Sequence, residues 1–163
     1  MGTTEDLLEN NKKYAAGFKK AGLHIAPAKK TAVVACMDAR IEIGRLLGVE
    51  EGDIHVIRNA GGVVTDDVIR SLMISQRKQG TTEIVLIHHT DCGMLAFSDA
   101  EMKEEVYDDT GIRPPFAIDA FANLEDDVRQ SMARIKASPF IPHKDRVRGF
   151  VFEVETGFLR EVR

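Results

Sequence analysis

The sequence predicts a single α/β domain, residues 1–163, built on a parallel sheet with helices on both faces. Three observations carry that expectation. Apolar runs of strand length alternate with amphipathic helical stretches, the pattern of βαβ units. A chain of 163 residues suits one domain, and no repeat or low-complexity stretch divides it. Hydrophobic residues at 44% and charged ones at 29% are globular proportions, which argues against a disordered chain.

The elements follow in order. Residues 3–20 place Leu7, Asn11, Tyr14 and Phe18 at helical spacing, with Thr3 and Asp6 in capping-box positions. The apolar stripe is thin, so this helix needs something larger to pack on, its own domain or a partner chain. After Pro27, Thr31–Cys36 is a continuous apolar run and reads as a buried strand. Asp53–Arg58 alternates and reads as a second strand; Glu83–His89 reads as a third. Between these two lies a helix with Thr65 as N-cap, Asp66 and Asp67 at its positive end and Gly80 at its exit. Its inner face is Val68, Ile69, Leu72, Met73 and Gln76. A further helix is expected from about Asp119 to Ala137, with Phe121, Leu124, Val128, Met132 and Ile135 on one stripe. Val147 to Val162 reads as two strands joined at Glu155-Thr156-Gly157. The acidic, then Pro-bearing stretch from Asp99 to Phe116 reads as an irregular surface excursion.

Charge and hydropathy narrow the function. Lys and Arg number 22 against 26 Asp and Glu, a net charge of −4, so the basic surplus common in nucleic-acid binders is missing. No apolar run approaches the roughly 20 residues that cross a bilayer. The polar first 20 residues lack the apolar segment of a secretory signal, so the expected location is cytoplasmic. Two cysteines are too few for a disulfide framework and should stay reduced there.

In parallel sheets ligands collect beyond the carboxyl ends of the strands. Three polar clusters fall there: Cys36-Met-Asp38-Ala-Arg40, Asn59-Ala60-Gly61-Gly62 and His88-His89-Thr-Asp-Cys92-Gly93. Two thiolates and one imidazole are a zinc ligand set with one tetrahedral position open, the arrangement of catalytic zinc. Free cysteines are also among the most buried residue types, and a His-x-x-Cys pair alone is a weak metal signal. The shared sheet edge favours the metal reading. Adjacent His88 and His89 point to opposite sides of a strand, and spacing to Cys92 favours His89 as the ligand. His24, His55 and His143 have no partner pattern. Cys92 is expected to open a helical turn whose dipole lowers its pKa.

Asp38 and Arg40 follow Cys36 with strand spacing. Arg40 offers Asp38 a two-pronged partner, which keeps the carboxylate ionised and free to accept a hydrogen bond from metal-bound water. Taken alone, an Asp-x-Arg is more often a surface ion pair. The Asn59–Gly62 glycines allow close backbone approach to a small ligand or to the neighbouring strand. Nucleotide binding is disfavoured, because Asp66 and Asp67 would repel phosphate and no glycine-rich nucleotide motif is present. Thiol redox chemistry is disfavoured by the absence of Cys-x-x-Cys.

Together the clusters resemble the β-class carbonic anhydrases. That family's pattern reads here as Cys36-Met37-Asp38-Ala39-Arg40, then Arg58-Asn59-Ala60-Gly61, then His89-Thr90-Asp91-Cys92-Gly93. The resemblance implies Cys36, His89 and Cys92 as ligands of one Zn²⁺ per chain and Asp38 and Arg40 as the catalytic dyad. It implies reversible hydration of carbon dioxide to bicarbonate and a proton through zinc-bound hydroxide, the gas held near Asn59, Ala60 and Gly61. It further implies a four-stranded parallel core, an extra C-terminal strand, and a homodimer or higher homo-oligomer whose N-terminal helix (1–22) reaches the partner. Carbon disulfide or carbonyl sulfide is the rival substrate, a closed four-ligand zinc module the rival of another class. His88 and Asp91 are candidate proton relays. In some members the Asp leaves its Arg to close the site, with bicarbonate in a pocket containing a Trp three residues before the first Cys ligand. Val33 stands there in this chain, so Asp38 is expected to remain on Arg40.

Overall fold

The computed structural model describes residues 2–163. In chain order the elements are α1 (Thr3–Ala16), β1 (Thr31–Cys36), α2 (Ile43–Leu47), β2 (His55–Asn59), α3 (Asp66–Gln79), β3 (Glu83–His89), α4 (Asp99–Thr110), α5 (Leu124–Ala137), β4 (Val147–Phe152) and β5 (Leu159–Val162). The sheet order is β2-β1-β3-β4-β5. The first four strands are mutually parallel and β5 pairs antiparallel with β4. This is the expected parallel four-stranded core with its extra C-terminal strand.

β1 is central, and Ala32 to Cys36 are all buried. Alternate residues feed two cores. Val33 and Ala35 pack with Ile41, Ile43, Val63 and Ile87 on one face. Ala32 and Val34 pack with Val68, Leu72, Leu86 and Ile135 on the other, beneath α3 and α5. Two covered faces require continuous apolar runs rather than alternation, which is why β1 and β3 were legible as buried strands.

α3 matches its expected ends. Thr65 accepts a hydrogen bond from the Val68 backbone N–H, Asp66 and Asp67 occupy the first turn, and Gly80 ends the helix at φ 73°. Burying Val68 and Leu72 stabilises the α3–sheet contact by about 1.5–3 kcal/mol per side chain.

Several expectations need correction. The Asp99–Phe116 excursion contains α4, opened by a capping box in which Ser98 and Glu101 bond each other's backbone N–H. α4 buries no residue, so it leaves no apolar periodicity to read. The five-residue α2 was not anticipated. α1 ends at Ala16 rather than residue 20, and its N-cap is Gly2 without a side-chain bond, so Thr3 and Asp6 form no capping box. α5 begins at Leu124, capped by Asn123. The β2 strand is shifted to His55–Asn59.

Candidate metal centre

The two cysteines end up together because the sheet aligns strand ends. Cys36 closes β1 and pairs in register with Asn59 of β2; His89 closes β3. Cys92 follows one turn later and caps a short helical turn, Gly93–Leu95. The Cys36 and Cys92 sulfurs and a His89 ring nitrogen lie within 4.8 Å of one another, and all three residues are buried.

Donor chemistry points to a metal. His89 Nδ1–H donates to the Thr90 carbonyl at 2.8 Å, which selects the tautomer with a free Nε2 lone pair. That Nε2 is buried with no hydrogen-bond partner. A buried imidazole acceptor left unmatched costs free energy unless something electropositive meets it. Two soft sulfurs and an imidazole suit zinc rather than magnesium or calcium.

The two neighbouring sulfurs are pushed in opposite directions. The neighbouring Cys92 thiol is the largest influence on Cys36 and, with the adjacent His89 ring, lowers the Cys36 thiol well below its ordinary value against the opposing effect of burial. Cys92, facing that thiolate, is raised. The Met94 backbone N–H does lower Cys92. The expected lowering of Cys92 is not met: the Cys36 sulfur beside it and burial outweigh the Met94 N–H, and the net direction is up. Burial opposes charge on His89, while the adjacent Cys36 sulfur, the Thr90 carbonyl and the Asp38 carboxylate favour it, and the net direction is up.

Asp38 stands beside the candidate ligands. Arg40 Nε donates to its Oδ1 at 2.9 Å and Nη2 to its Oδ2 at 2.8 Å, and the Arg40 backbone N–H adds a third bond at 2.8 Å. These bonds, led by the guanidinium, hold Asp38 well below the usual carboxylate range. Its Oδ2 lies 3.7 Å from His89 Nε2. The carboxylate thus faces the Cys36–His89–Cys92 group while remaining on Arg40.

Arg58 acts on the same segment. Its Nη2 donates to the Cys36 carbonyl at 2.7 Å and to the Asp38 carbonyl at 2.8 Å, bracketing the stretch from ligand to carboxylate. The sequence placed Arg58 in a motif and gave it no role. Its alternation within β2 carried no sign of a bond to β1 backbone.

Cys36, His89 and Cys92 line a cleft of about 520 Å³ whose further lining includes Met94, Phe97, Met102, Phe116 and Ile118, together with Ala60 and Gly61. Asn59 does not line it; its Nδ2 donates to the Val63 carbonyl at 2.9 Å. Asp99 of α4 shapes the wall by accepting backbone N–H bonds from Ile118, Asp119 and Ala120. His88 points away from His89, as expected. It is fully buried, its Nε2–H donates to Asp127 Oδ2 at 2.6 Å, and its ring lies 5.6 Å from that of Phe121. His55 bonds Ser75 Oγ.

An α/β sheet carrying a buried Cys-His-Cys group at its carboxyl edge, beside an arginine-held aspartate and an apolar cleft, has the donor set of an open zinc site of the catalytic type. Residues 31–114 match the family model described as carbonic anhydrase. The chain is 56% identical over 162 residues to β-carbonic anhydrase 1 of Mycobacterium tuberculosis, covering 99% of each. A carbonic anhydrase structure from Streptococcus mutans superposes with a TM-score of 0.94 at 40% identity, covering 100% of this chain and 99% of that one. Carbon disulfide hydrolase of Saccharolobus solfataricus is 36% identical over 153 residues, covering 79% of this chain and 75% of that one. The chain belongs to the β-carbonic anhydrase family, zinc lyases that interconvert carbon dioxide and water with bicarbonate and a proton. Among the described residues, no helix is long and apolar enough to cross a membrane.

Proposed function

We propose that Cys36, His89 and Cys92 hold one zinc ion per chain, that Asp38 orients the reacting water, and that carbon dioxide binds in the apolar cleft over Ala60 and Gly61. The observation that carries this reading is the buried, unpartnered Nε2 of His89 between two sulfurs. Zinc, when bound, lowers the pKa of a water and so supplies a nucleophile at neutral pH.

The chain's own groups do the rest. An ionised Asp38 can only accept hydrogen bonds, so a water beside it must turn a hydrogen toward Oδ2 and leave a lone pair toward the substrate. Arg40 keeps that carboxylate ionised and occupied, which opposes its becoming a fourth ligand. The cleft walls are Met, Phe and Ile, which favour a neutral, non-polar gas and give charged bicarbonate little to replace its hydration. The proton is released to buffer.

Assembly and location belong to the same proposal. α1 buries no residue within its own chain, and Leu7, Leu8, Tyr14 and Phe18 are exposed. A helix of 14 residues is marginal alone, so residues 1–22 are assigned to a homodimer or higher homo-oligomer. The protein is placed in the cytoplasm, where both thiols stay reduced.

A second reading is hydrolysis of carbon disulfide to carbon dioxide and two hydrogen sulfides, consuming two waters. The apolar cleft favours it, as does the likeness to proteins named for that reaction. Stopped-flow carbon dioxide hydration on protein of measured zinc content tests the first reading. Sulfide release from carbon disulfide on the same sample tests the second. Zinc-loaded protein without hydration activity would overturn the first.

A further inference from the structure

Arg40 is held from two sides. Inward, its Nε and Nη2 take both oxygens of Asp38. Outward, its Nη1 donates to Asp91 Oδ2 at 2.8 Å and its Nη2 to the Asp91 carbonyl at 3.0 Å. Four of the five guanidinium N–H groups are therefore directed at two aspartates.

The second grip comes from a different part of the chain. Asp38 and Arg40 lie two residues apart after β1, so their mutual bonds fix each to the other. Asp91 lies between His89 and Cys92 in the loop after β3. Among the described residues, no other hydrogen bond joins the Asp38–Arg40 side chains to that loop. Asp91 also adopts φ 53°, a left-handed conformation that Asp and Asn tolerate and most side chains do not. That backbone turn presents both its carbonyl and its carboxylate to the same guanidinium. The Asp91 side chain is 73% exposed and that of Asp38 19%, so the arginine bridges the rim of the site to its interior.

Resting on the zinc and Asp38 assignment above, we infer that Asp91 is a positioning residue: it locks Arg40 against the His89–Cys92 loop and so sets where Asp38 stands relative to the metal. Asp91 touches no reacting atom in this role. Its effect passes through Arg40.

The test compares Asp91→Gly with Asp91→Asn in the zinc-loaded protein. Glycine keeps the left-handed turn and the carbonyl but removes the carboxylate; asparagine keeps an oxygen that can accept from Nη1. An exposed ion pair has a modest effect, so Asp91→Gly is expected to lower kcat about three- to fivefold with KM unchanged and zinc content intact. The Arg40 Nε–H signal in ¹⁵N NMR should exchange with solvent faster by a similar factor. Asp91→Asn should recover most of both. Unchanged kcat and unchanged Arg40 exchange in Asp91→Gly would overturn the inference, as would a loss of activity that merely tracks lost zinc. Asp38→Ala, measured alongside, separates the two levels: full turnover in that variant would overturn the Asp38 assignment itself.

Discussion

A Cβ placed on Gly62 would lie 2.7 Å from the backbone nitrogen of Cys36. The same atom would approach the Ala35 carbonyl carbon to 2.9 Å, and Gly62 has φ +69°. Absence of a side chain therefore lets the loop after β2 lie against the end of β1, at the first metal-ligand candidate. The glycines after Asn59 read in sequence as permitting close approach to a ligand or a strand. At Gly62 the neighbour is the strand.

Gly62→Ala is accordingly expected to destabilise the fold by about 3 kcal/mol or more, combining left-handed strain with backbone overlap. Denaturant unfolding measures the loss. Zinc binding should weaken with it, because the atoms displaced carry Cys36. An alanine variant as stable as the parent would mean that the β1 end yields without cost.

Metal retention and turnover should separate by residue. Cys36→Ser, His89→Ala and Cys92→Ser each remove a soft or imidazole donor, and each should lose stoichiometric zinc, read by elemental analysis after dialysis. Asp38→Ala removes orientation rather than coordination. It should keep zinc while turnover falls by about 10²-fold, the scale of a misplaced reacting group. If zinc leaves with Asp38, the carboxylate was a ligand; if Cys36→Ser keeps full zinc, the ligand set is wrong.

Much of this site was legible because its parts lie at strand ends. Apolar runs located β1 and β3, the parallel-sheet rule put Cys36 and His89 at one edge, and side-chain alternation separated His89 from His88. Arg40 as partner of Asp38 was read from strand spacing, but β1 ends at Cys36 and the two pair across a turn. Contacts between distant segments were not legible. Nothing in the order of residues joins Arg40 to Asp91, Arg58 to the Cys36 carbonyl, or Asp99 to the backbone at 118–120. α4 was missed although Ser98 and Glu101 spell its capping box, because a helix that buries nothing carries no periodic stripe. Asn59, grouped in sequence with Ala60 and Gly61, has its amide engaged with Val63.

Removing residues 1–22 tests the assembly. Within its own chain residues 2–22 are tied by polar contacts at their far end, such as Tyr14 to Glu51 and Lys20 to Glu50, while Leu7, Leu8, Tyr14 and Phe18 remain exposed. If they pack on a second copy, the truncated protein should sediment as a smaller species and melt several degrees lower. A truncated protein that stays folded, active and unchanged in mass would refute the assigned role.

Asp99 gives a pH-dependent prediction whose sign follows from its bonds. Its carboxylate accepts from the backbone N–H groups of Ala120, Ile118 and Asp119, and that set, led by Ala120, lowers its pKa from the ordinary aspartate value. A carboxyl lowered by folding contributes stability above its unfolded pKa of about 3.9, and loses it as pH falls through the lower folded value. Asp99→Asn keeps one acceptor oxygen but no charge, so at neutral pH it should be less stable by about 1–2 kcal/mol. As pH falls below the unfolded value and on through the lower folded one, where the parent's folded Asp99 gains its proton, the difference between the two proteins should shrink. Paired urea titrations at pH 7 and pH 3 measure this directly. The same substitution should loosen Ile118 and with it one wall of the cleft, raising KM more than it lowers kcat. A stability gap that is constant from pH 7 to pH 3 would show that the backbone at 118–120 does not depend on the Asp99 charge.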